Sequence, residues 1–464
     1  MRLTLQWIAA AIQGRIKQGN PDKEYIGISI DSRSLQSGEI FWALKGERFD
    51  GHDFIIEAVN KGAIGVVKQI GKDVSEIRED VIIIEVDDTL RALGDFAGRY
   101  RRLYDIPVVA VTGSNGKTTT KEMIAAILSL KRQVIKNKGN LNNLIGLPLS
   151  LLKLSSHHDI GVFELGMNRK GEIARLTEIS DPSVGVITNI GPVHLEHLKS
   201  LDAVAESKGE LFLKMSSEAT AIINKDDLRV NKLSQKFSGR KITFGINHPA
   251  EVSARNIRLI KSEGINFELQ IKDKIFPVYL PMIGEHNVMN ALAAAAVVNA
   301  LGEDPEIIPK GLKNFTNLSL RQEVVKIGDD IKLINDAYNA NPISMEFALK
   351  TFSQIKGSSR GIAVLGDMLE LGAESITLHH RLGKQIAKFG IDYLLLLGEY
   401  ASVVKEGAIA GDFRPDHIFI GKEHAELSDF LKSILKKGDW VLVKGSRKRR
   451  MEKVVDSLLN KFKE

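Results

Sequence analysis

Residues 108–120 read Val108-Val109-Ala110-Val111-Thr112-Gly113-Ser114-Asn115-Gly116-Lys117-Thr118-Thr119-Thr120. Val108 to Val111 run apolar without the alternation of a half-exposed strand, so they read as a strand covered on both faces, the habit of a parallel sheet. The glycines end it, and a helix is expected from Lys121 to Leu130. A glycine loop between strand and helix lets successive backbone N–H groups face the oxygens of a triphosphate. Lys117 then neutralises the β/γ charge, and Thr118 offers its hydroxyl to Mg²⁺ at the positive end of the helix. Gly113, Ser114, Asn115, Gly116, Lys117, Thr118 and Thr119 are therefore candidates for a phosphate cradle. The loop is shorter than the GxxxxGK[ST] pattern, because Val111 stands where the first glycine is expected; an ordinary strand-to-helix turn is the bland alternative.

Outward from this stretch the same strand, loop and helix alternation recurs. Ile160 to Leu165, Val184 to Ile187 and Ala221 to Ile223 are further continuous apolar runs, giving a central parallel-sheet domain over 105–317. Before it, short strands at Ile26 to Ile30 and Val81 to Val86, turns at Gly38, Gly46 and Gly51, and an amphipathic helix from Thr89 to Tyr104 make a small α/β domain over 1–104. A helix starting near His286 closes the central block at Gly302. Beyond Leu318 a hairpin turning at Gly328-Asp329-Asp330 opens a third block, 318–464. There Ile362 to Leu365, Tyr393 to Leu397, Ile418 to Ile420 and Trp440 to Val443 alternate with helical stretches, as in a doubly wound, Rossmann-like sheet. The expected fold class is thus α/β, in three domains.

Composition agrees with this. The 464 residues exceed what one core usually serves, and 43% apolar with 26% charged residues is ordinary for globular chains. Sixty-four Lys and Arg against 58 Asp and Glu leave a net charge of +6. The basic residues are scattered, which argues only weakly for a nucleic-acid partner, and none is expected; anionic small substrates stay open. With no cysteine there is no disulfide, thiol nucleophile or Cys-ligated metal. The apolar stretch Trp7 to Ile12 is too short for a signal-peptide core, and Ala291 to Val298 is too short for a membrane span. A cytoplasmic location is expected.

A phosphate cradle does not name a reaction, since kinases, switches, motors and ligases all use one. Glu164 ends the strand Gly161-Val162-Phe163 at the carboxyl edge where doubly wound sheets bind ligands, and a carboxylate there can hold Mg²⁺; a capping or salt-bridged glutamate is the alternative. His194, in Val193-His194-Leu195-Glu196-His197, brings an imidazole to the same edge, although a lone loop histidine is more often a surface residue. Lys208 alone looks like a solvated helix lysine.

Taken together and in this order, the motifs GSNGKTTTKE (113–122), ELGMNRKGEI (164–173), TNIGPVHLE (188–196), ESKGEL (206–211), HNVMNALAAAA (286–296), NDAYNANPISM (335–345), GDMLELG (366–372) and LVKGSR (442–447) closely resemble the Mur ligase family, nearly end to end. In that family the short phosphate loop is the normal form. The resemblance implies ATP-dependent, ADP-forming joining of a carboxylate to an amine through an acyl phosphate. Within the family it points to addition of D-alanyl-D-alanine to UDP-N-acetylmuramoyl-tripeptide, the last cytoplasmic step of peptidoglycan-precursor peptide assembly. Addition of a single amino acid, or folylpolyglutamate synthesis, is the alternative within the superfamily; a nucleotide switch is the alternative outside it.

The resemblance also implies roles. Lys117 and the loop hold the triphosphate, Thr118 and Glu164 a first Mg²⁺, and His194 and Lys208 serve a second, with Lys208 carbamylated so that a cation becomes an anion. Asn287 resembles the adenine-side asparagine, Arg321 an arginine that approaches the phosphates, and Asp336 a ribose partner. Ser32, Arg33, Lys45, Gly46 and Asp50 resemble the segment for the UDP end of the substrate, and Asn142 and Asn143 a loop facing the muramoyl-peptide. Asn339, Lys444, Ser446 and Arg447 border the pocket of the incoming dipeptide. The 1–104 domain would hold the UDP-substrate, 105–317 Mg-ATP, and 318–464 would swing to close the site of a working monomer. Asp367 and Glu370 are strand-end polar residues without a clear role, and His380 is unassigned.

Overall fold

The structure, a computed structural model, describes residues 4–74, 77–316, 318–328 and 330–461. Asp329 of the expected hairpin turn and residue 317 at the expected domain boundary lie outside them. Three sheets with flanking helices carry the chain, as an α/β reading requires. Its residues group into two compact units, 1–108 with 135–166 and 174–181, and 109–134 with 167–173 and 182–464.

In the first unit a five-stranded sheet runs, edge to edge, Arg15–Gln18, Ile82–Val86, Gly65–Gln69, Glu39–Trp42, Gly27–Ser29, parallel throughout except for its first pair. The β-branched runs Ile82-Ile83-Ile84 and Val66-Val67 suit a pleated surface buried on both faces. Trp42 stacks on Phe96 at 5.7 Å between ring centroids and donates its Nε1–H to the Thr89 carbonyl at 2.7 Å, so the large ring is buried with its polar atom paired. Asp88 caps the helix Thr89–Arg101 by accepting from Leu90 N and Arg91 N. That helix stops short of Tyr104 because the Arg101 guanidinium turns to bond the carbonyls of Tyr104, Ile106 and Ser180. The buried strand Ile160–Glu164 also belongs to this unit.

In the second unit Val108–Thr112 pairs parallel with Val184–Ile187, followed by Thr220–Asn224 and Arg240–Gly245, also parallel. Val252–Ile260 adds to this edge and then pairs antiparallel with Gly264–Ile271, which pairs antiparallel with Lys274–Leu280. This meander is a departure from the purely parallel sheet expected of the centre. Its alternation is broken where the register shifts between Arg255 and Arg258, which hides the period-2 signal. The 318–464 segment forms a six-stranded sheet in the order Glu323–Ile327, Ile331–Asp336, Trp440–Lys444, Gly361–Gly366, Tyr393–Leu397, Ile418–Gly421. Only its first pair is antiparallel. Apolar cores lie on both faces, one around Met345, Phe352 and Leu365, the other around Leu333, Val364 and Val454, as double winding demands.

No helix among the described residues is long and apolar enough to cross a membrane. Ala291 to Val298 lies inside the buried helix His286–Ala300.

Candidate nucleotide site

The helix after the first quoted strand begins at Lys117 rather than Lys121 and runs to Leu128. Gly116 makes that early start possible. It is the N-cap residue with φ +79°, and a Cβ there would lie 2.2 Å from Asn290 Oδ1, so only glycine fits. No side chain caps this helix start, which leaves its positive end to face the loop. Neighbouring turns brace the loop from behind. Ser114 Oγ donates to the Gly191 carbonyl at 3.1 Å, Asn115 N donates to Asn189 Oδ1 at 3.0 Å, and Thr188 Oγ1 donates to the Asn115 carbonyl at 2.6 Å. Lys117 Nζ donates to the loop's own carbonyl at Gly113, 2.9 Å away, which keeps the ammonium against the loop.

The loop opens on a cavity of about 380 Å³ lined by Asn115, Gly116, His286, Asn290, Phe347 and Lys350 among others. Asn115 is the telling residue. Its Oδ1 accepts from Asn341 Nδ2 at 2.7 Å, while its own Nδ2 is buried without a protein partner. A buried donor left unpaired costs about 1–3 kcal/mol, so its place beside the cavity fits a ligand oxygen. Phe347 stacks on His286 with ring centroids 5.2 Å apart and planes within 3°, making a flat aromatic wall. Burial, helped by the positive charges of Lys444 and Lys350, pushes the His286 imidazole down to about 4, so the ring is neutral at pH 7. Asn287, the asparagine expected beside the adenine, instead turns inward: its Nδ2 donates to the Ile283 carbonyl and its Oδ1 accepts from Asn290. Asn290 and His286 line the cavity. Sequence reasoning missed both. The helical spacing from 286 to 290 and 293 puts them on one face, and that signal was available.

The C-terminal block reaches the same loop. Arg321 Nη2 donates to Thr118 Oγ1 at 3.0 Å, with its guanidinium 3.8 Å from the Tyr338 ring centroid. Asp336 closes its strand, but its carboxylate pairs with Lys444 at 2.7 Å, and both are buried. Burial raises the Asp336 carboxyl, and the Lys444 ammonium opposes that rise. Lys444 also donates to the Asn339 carbonyl at 3.0 Å, so this cation is committed within the fold. Ser446 Oγ accepts from Leu369 N at 2.9 Å and is buried. Of the expected dipeptide residues Asn339 and Arg447 are exposed, and the Arg447 side chain is held by Glu452 at 2.8 Å. Asp367 accepts from Glu399 N and Tyr400 N and pairs with Arg449, a structural role that its strand-end position did not reveal. His380 is exposed.

Thr118 is one expected metal ligand; the others are placed as follows. His194 sits in a left-handed turn, φ 54°, with Nδ1 2.7 Å from Glu370 Oε2. Lys208 is 1% exposed within the helix Leu201–Lys214, so the solvated-lysine reading fails for it. Glu164 lies in the other unit and is 3% exposed. Its backbone is clamped in both directions by the Asn137 side chain, and Oε1 accepts from Asn142 Nδ2 at 2.8 Å. Asn137, absent from the sequence reading, is the residue that fixes this strand end. Among the described residues no three His, Asp or Glu gather as a ready metal site. A Mg²⁺ held by one or two carboxylates and by substrate phosphates needs no such cluster, and the Thr118 hydroxyl and Glu164 carboxylate are fitting oxygen donors, whereas the His194 imidazole is a softer one.

The expected UDP-end residues are partly spent on their own turns. Asp50 accepts from His52 and from Lys72 Nζ at 2.8 Å, and these partners hold its carboxyl below the ordinary range against the pull of burial. His52 in turn accepts from Gln69 N. Arg33 is exposed and paired with Asp31 at 2.7 Å, the Lys45 backbone pairs antiparallel with that of Asp50, and Gly46 N donates to the Phe49 carbonyl. Ser32 is buried and its carbonyl accepts from Lys61. Asn143 Oδ1 accepts from Ile145 N and Gly146 N in the turn that leads into the helix Gly146–Leu151.

A glycine–lysine turn at a parallel strand's carboxyl end, opening on a cavity with an orphaned amide, defines a phosphate-loop nucleotide-binding protein of the α/β class. Comparison with known proteins narrows the class. Residues 24–101 match the "Mur ligase family, catalytic domain", 111–298 the "Mur ligase middle domain" and 320–447 the "Mur ligase, glutamate ligase domain". The chain is 35% identical over 460 residues to the UDP-N-acetylmuramoyl-tripeptide–D-alanyl-D-alanine ligase of Bacillus subtilis, covering 99% of each chain. Among solved structures, MurF from Acinetobacter baumannii superposes with a TM-score of 0.91 at 34% identity, covering 99% of each chain. MurF ligase from Thermotoga maritima, solved in complex with ADP, gives 0.84 at 28%, covering 94% of this chain and 97% of that one. The chain belongs to the Mur ligase family, and it is an ATP-using ligase.

Proposed function

We propose that this chain joins D-alanyl-D-alanine to UDP-N-acetylmuramoyl-tripeptide with conversion of ATP to ADP and phosphate, as a cytoplasmic monomer of three domains, 1–104, 105–317 and 318–464. The observation that carries the reading is the cavity on the glycine–lysine loop. It is walled by the helix His286–Ala300 of the middle segment and by the helix Pro342–Lys356 of the C-terminal one. Relatives alike over their whole length bear the corresponding name.

On this reading the carboxylate of the tripeptide attacks the γ-phosphorus of ATP, ADP leaves, and the dipeptide amine then attacks the acyl carbon. Phosphate departs with one former carboxylate oxygen as the amide forms. Lys117 and the 113–119 amides hold the triphosphate, and Asn115 Nδ2 gains the acceptor it lacks. His286 and Phe347 offer the adenine a flat, uncharged wall. Arg321 adds a cation beside Thr118, where charge builds as phosphoryl transfer proceeds. Two Mg²⁺ ions would be held by Thr118 and Glu164 and by His194 and Lys208, supplying fixed positive charge that offsets the repulsion between carboxylate and γ-phosphate. A carbamate on Lys208 would make that buried lysine an anion suited to a cation, as a bare ammonium is not. Ser32, Arg33, Lys45, Gly46, Asp50, Asn142 and Asn143 would serve the UDP-muramoyl-peptide, and Asn339, Lys444, Ser446 and Arg447 the dipeptide. For Lys444 that service is indirect, through its ion pair with Asp336.

Phosphate release measured with ATP and Mg²⁺ tests this. Turnover is expected only when both the UDP-muramoyl-tripeptide and D-alanyl-D-alanine are present. Turnover indifferent to them would speak for a switch, and turnover with a single amino acid for another branch of the family.

A further inference from the structure

We propose that Glu370 is a positioning residue that fixes the tautomer of His194, leaving Nε2 as the lone pair available to a metal ion. This rests on the reading of His194 as a metal ligand. A neutral imidazole carries one N–H, and an ionised carboxylate can only accept. With Nδ1 2.7 Å from Glu370 Oε2, the proton belongs on Nδ1, and Nε2 is left unprotonated. Partners of this kind orient a ligating histidine and raise its basicity.

The contact is built into the backbone and does not hang on one side chain. Glu196 N donates to the Glu370 carbonyl at 3.0 Å, so the 370 turn is hydrogen-bonded to the 194 turn. Gly372, φ +57°, lies so close that a Cβ would come 2.9 Å from Glu196 Cα; only glycine lets the two turns nest. His194 and Glu370 both hold positive φ, 54° and 64°, a conformation that L residues keep only where surrounding contacts impose it. Glu370 comes from the loop after the strand Gly361–Gly366 of the C-terminal sheet, whereas His194 follows the middle-segment strand Val184–Ile187. The tautomer of a middle-segment residue is thereby set by C-terminal docking.

Full-length chain labelled with ¹⁵N-histidine tests the claim at pH 8 without metal. The His194 ring, assigned by its loss in His194→Gln, is expected as the Nδ1–H form, and in Glu370→Ala it is expected to revert toward the Nε2–H form. Mn²⁺ titrated into protein holding a nonhydrolysable ATP analogue is expected to show two sites. The weaker should lose about 10–100-fold in affinity in Glu370→Ala. Metal-free binding of the analogue should change little. The near-isosteric Glu370→Gln keeps the turn's shape and an amide oxygen that can still accept from Nδ1–H, so it is expected to lose less metal affinity than Glu370→Ala. An Nε2–H ring in the unmutated protein, or Mn²⁺ affinity indifferent to both substitutions, would overturn the proposal while leaving the ligase reading standing. A single Mn²⁺ site in the unmutated protein would remove His194 as a ligand, and the proposal with it.

Discussion

Several single side chains sit in surroundings that their type does not lead one to expect. His286 is the clearest. Its ordinary value of 6.5 is pushed down to about 4 by burial, so between those values the unfolded chain holds a proton that the folded chain does not. Stability attributable to this residue therefore rises with pH across that window and is lost as pH falls below about 6.5. His286→Gln is expected to flatten the acid limb of the stability–pH curve between about pH 4 and 6.5. Denaturant melts of both proteins across that range check it, and parallel curves would contradict it. Lys208 teaches the converse lesson: a helix lysine that looks solvated in sequence is buried, and only its place in the ordered motif set marked it as a functional candidate.

Elements were legible wherever apolar runs were continuous. Val184–Ile187 and Tyr393–Leu397 have the ends read from sequence, because strands covered on both faces announce themselves by composition. The meander from Val252 to Leu280 was not legible, since its outward residues are polar and its register slips. The candidate site was legible as a set of motifs, yet its internal pairings were not. Lys444 with Asp336, Glu370 with His194 and Asn341 with Asn115 join residues 108, 176 and 226 positions apart, distances over which no local periodicity speaks. Asn341 shows how one element serves two ends. Its Oδ1 accepts from Ser344 N in a capping box at the start of Pro342–Lys356, while its Nδ2 donates to the phosphate loop at Asn115. Asn341→Ala is expected to cost about 1 kcal/mol of stability and to weaken nucleotide binding. Asn341→Asp keeps the cap but loses the donor, so it should retain stability and still bind nucleotide poorly. Equal affinity in the two variants and the parent would separate the cap from the site and contradict the reading.

At the scale of the whole molecule, the C-terminal block meets the nucleotide loop through Arg321 and Asn341 and the proposed metal-ligand turn through Glu370. All three contacts are polar, and sites completed by such contacts commonly open and close around substrate. Solution scattering is therefore expected to show contraction when a nonhydrolysable ATP analogue and the UDP-muramoyl-tripeptide are added together. A radius of gyration unmoved by both would contradict closure.

On the proposed function, the cleft beside the glycine–lysine turn brings a carboxylate onto the γ-phosphate of ATP, and an acyl phosphate forms. The most direct test uses tripeptide substrate carrying ¹⁸O in the reacting carboxylate, turned over with unlabelled ATP and D-alanyl-D-alanine, with the released phosphate analysed by mass. One ¹⁸O in each phosphate is the predicted result. Phosphate free of label, formed at the same rate as the amide, would contradict it.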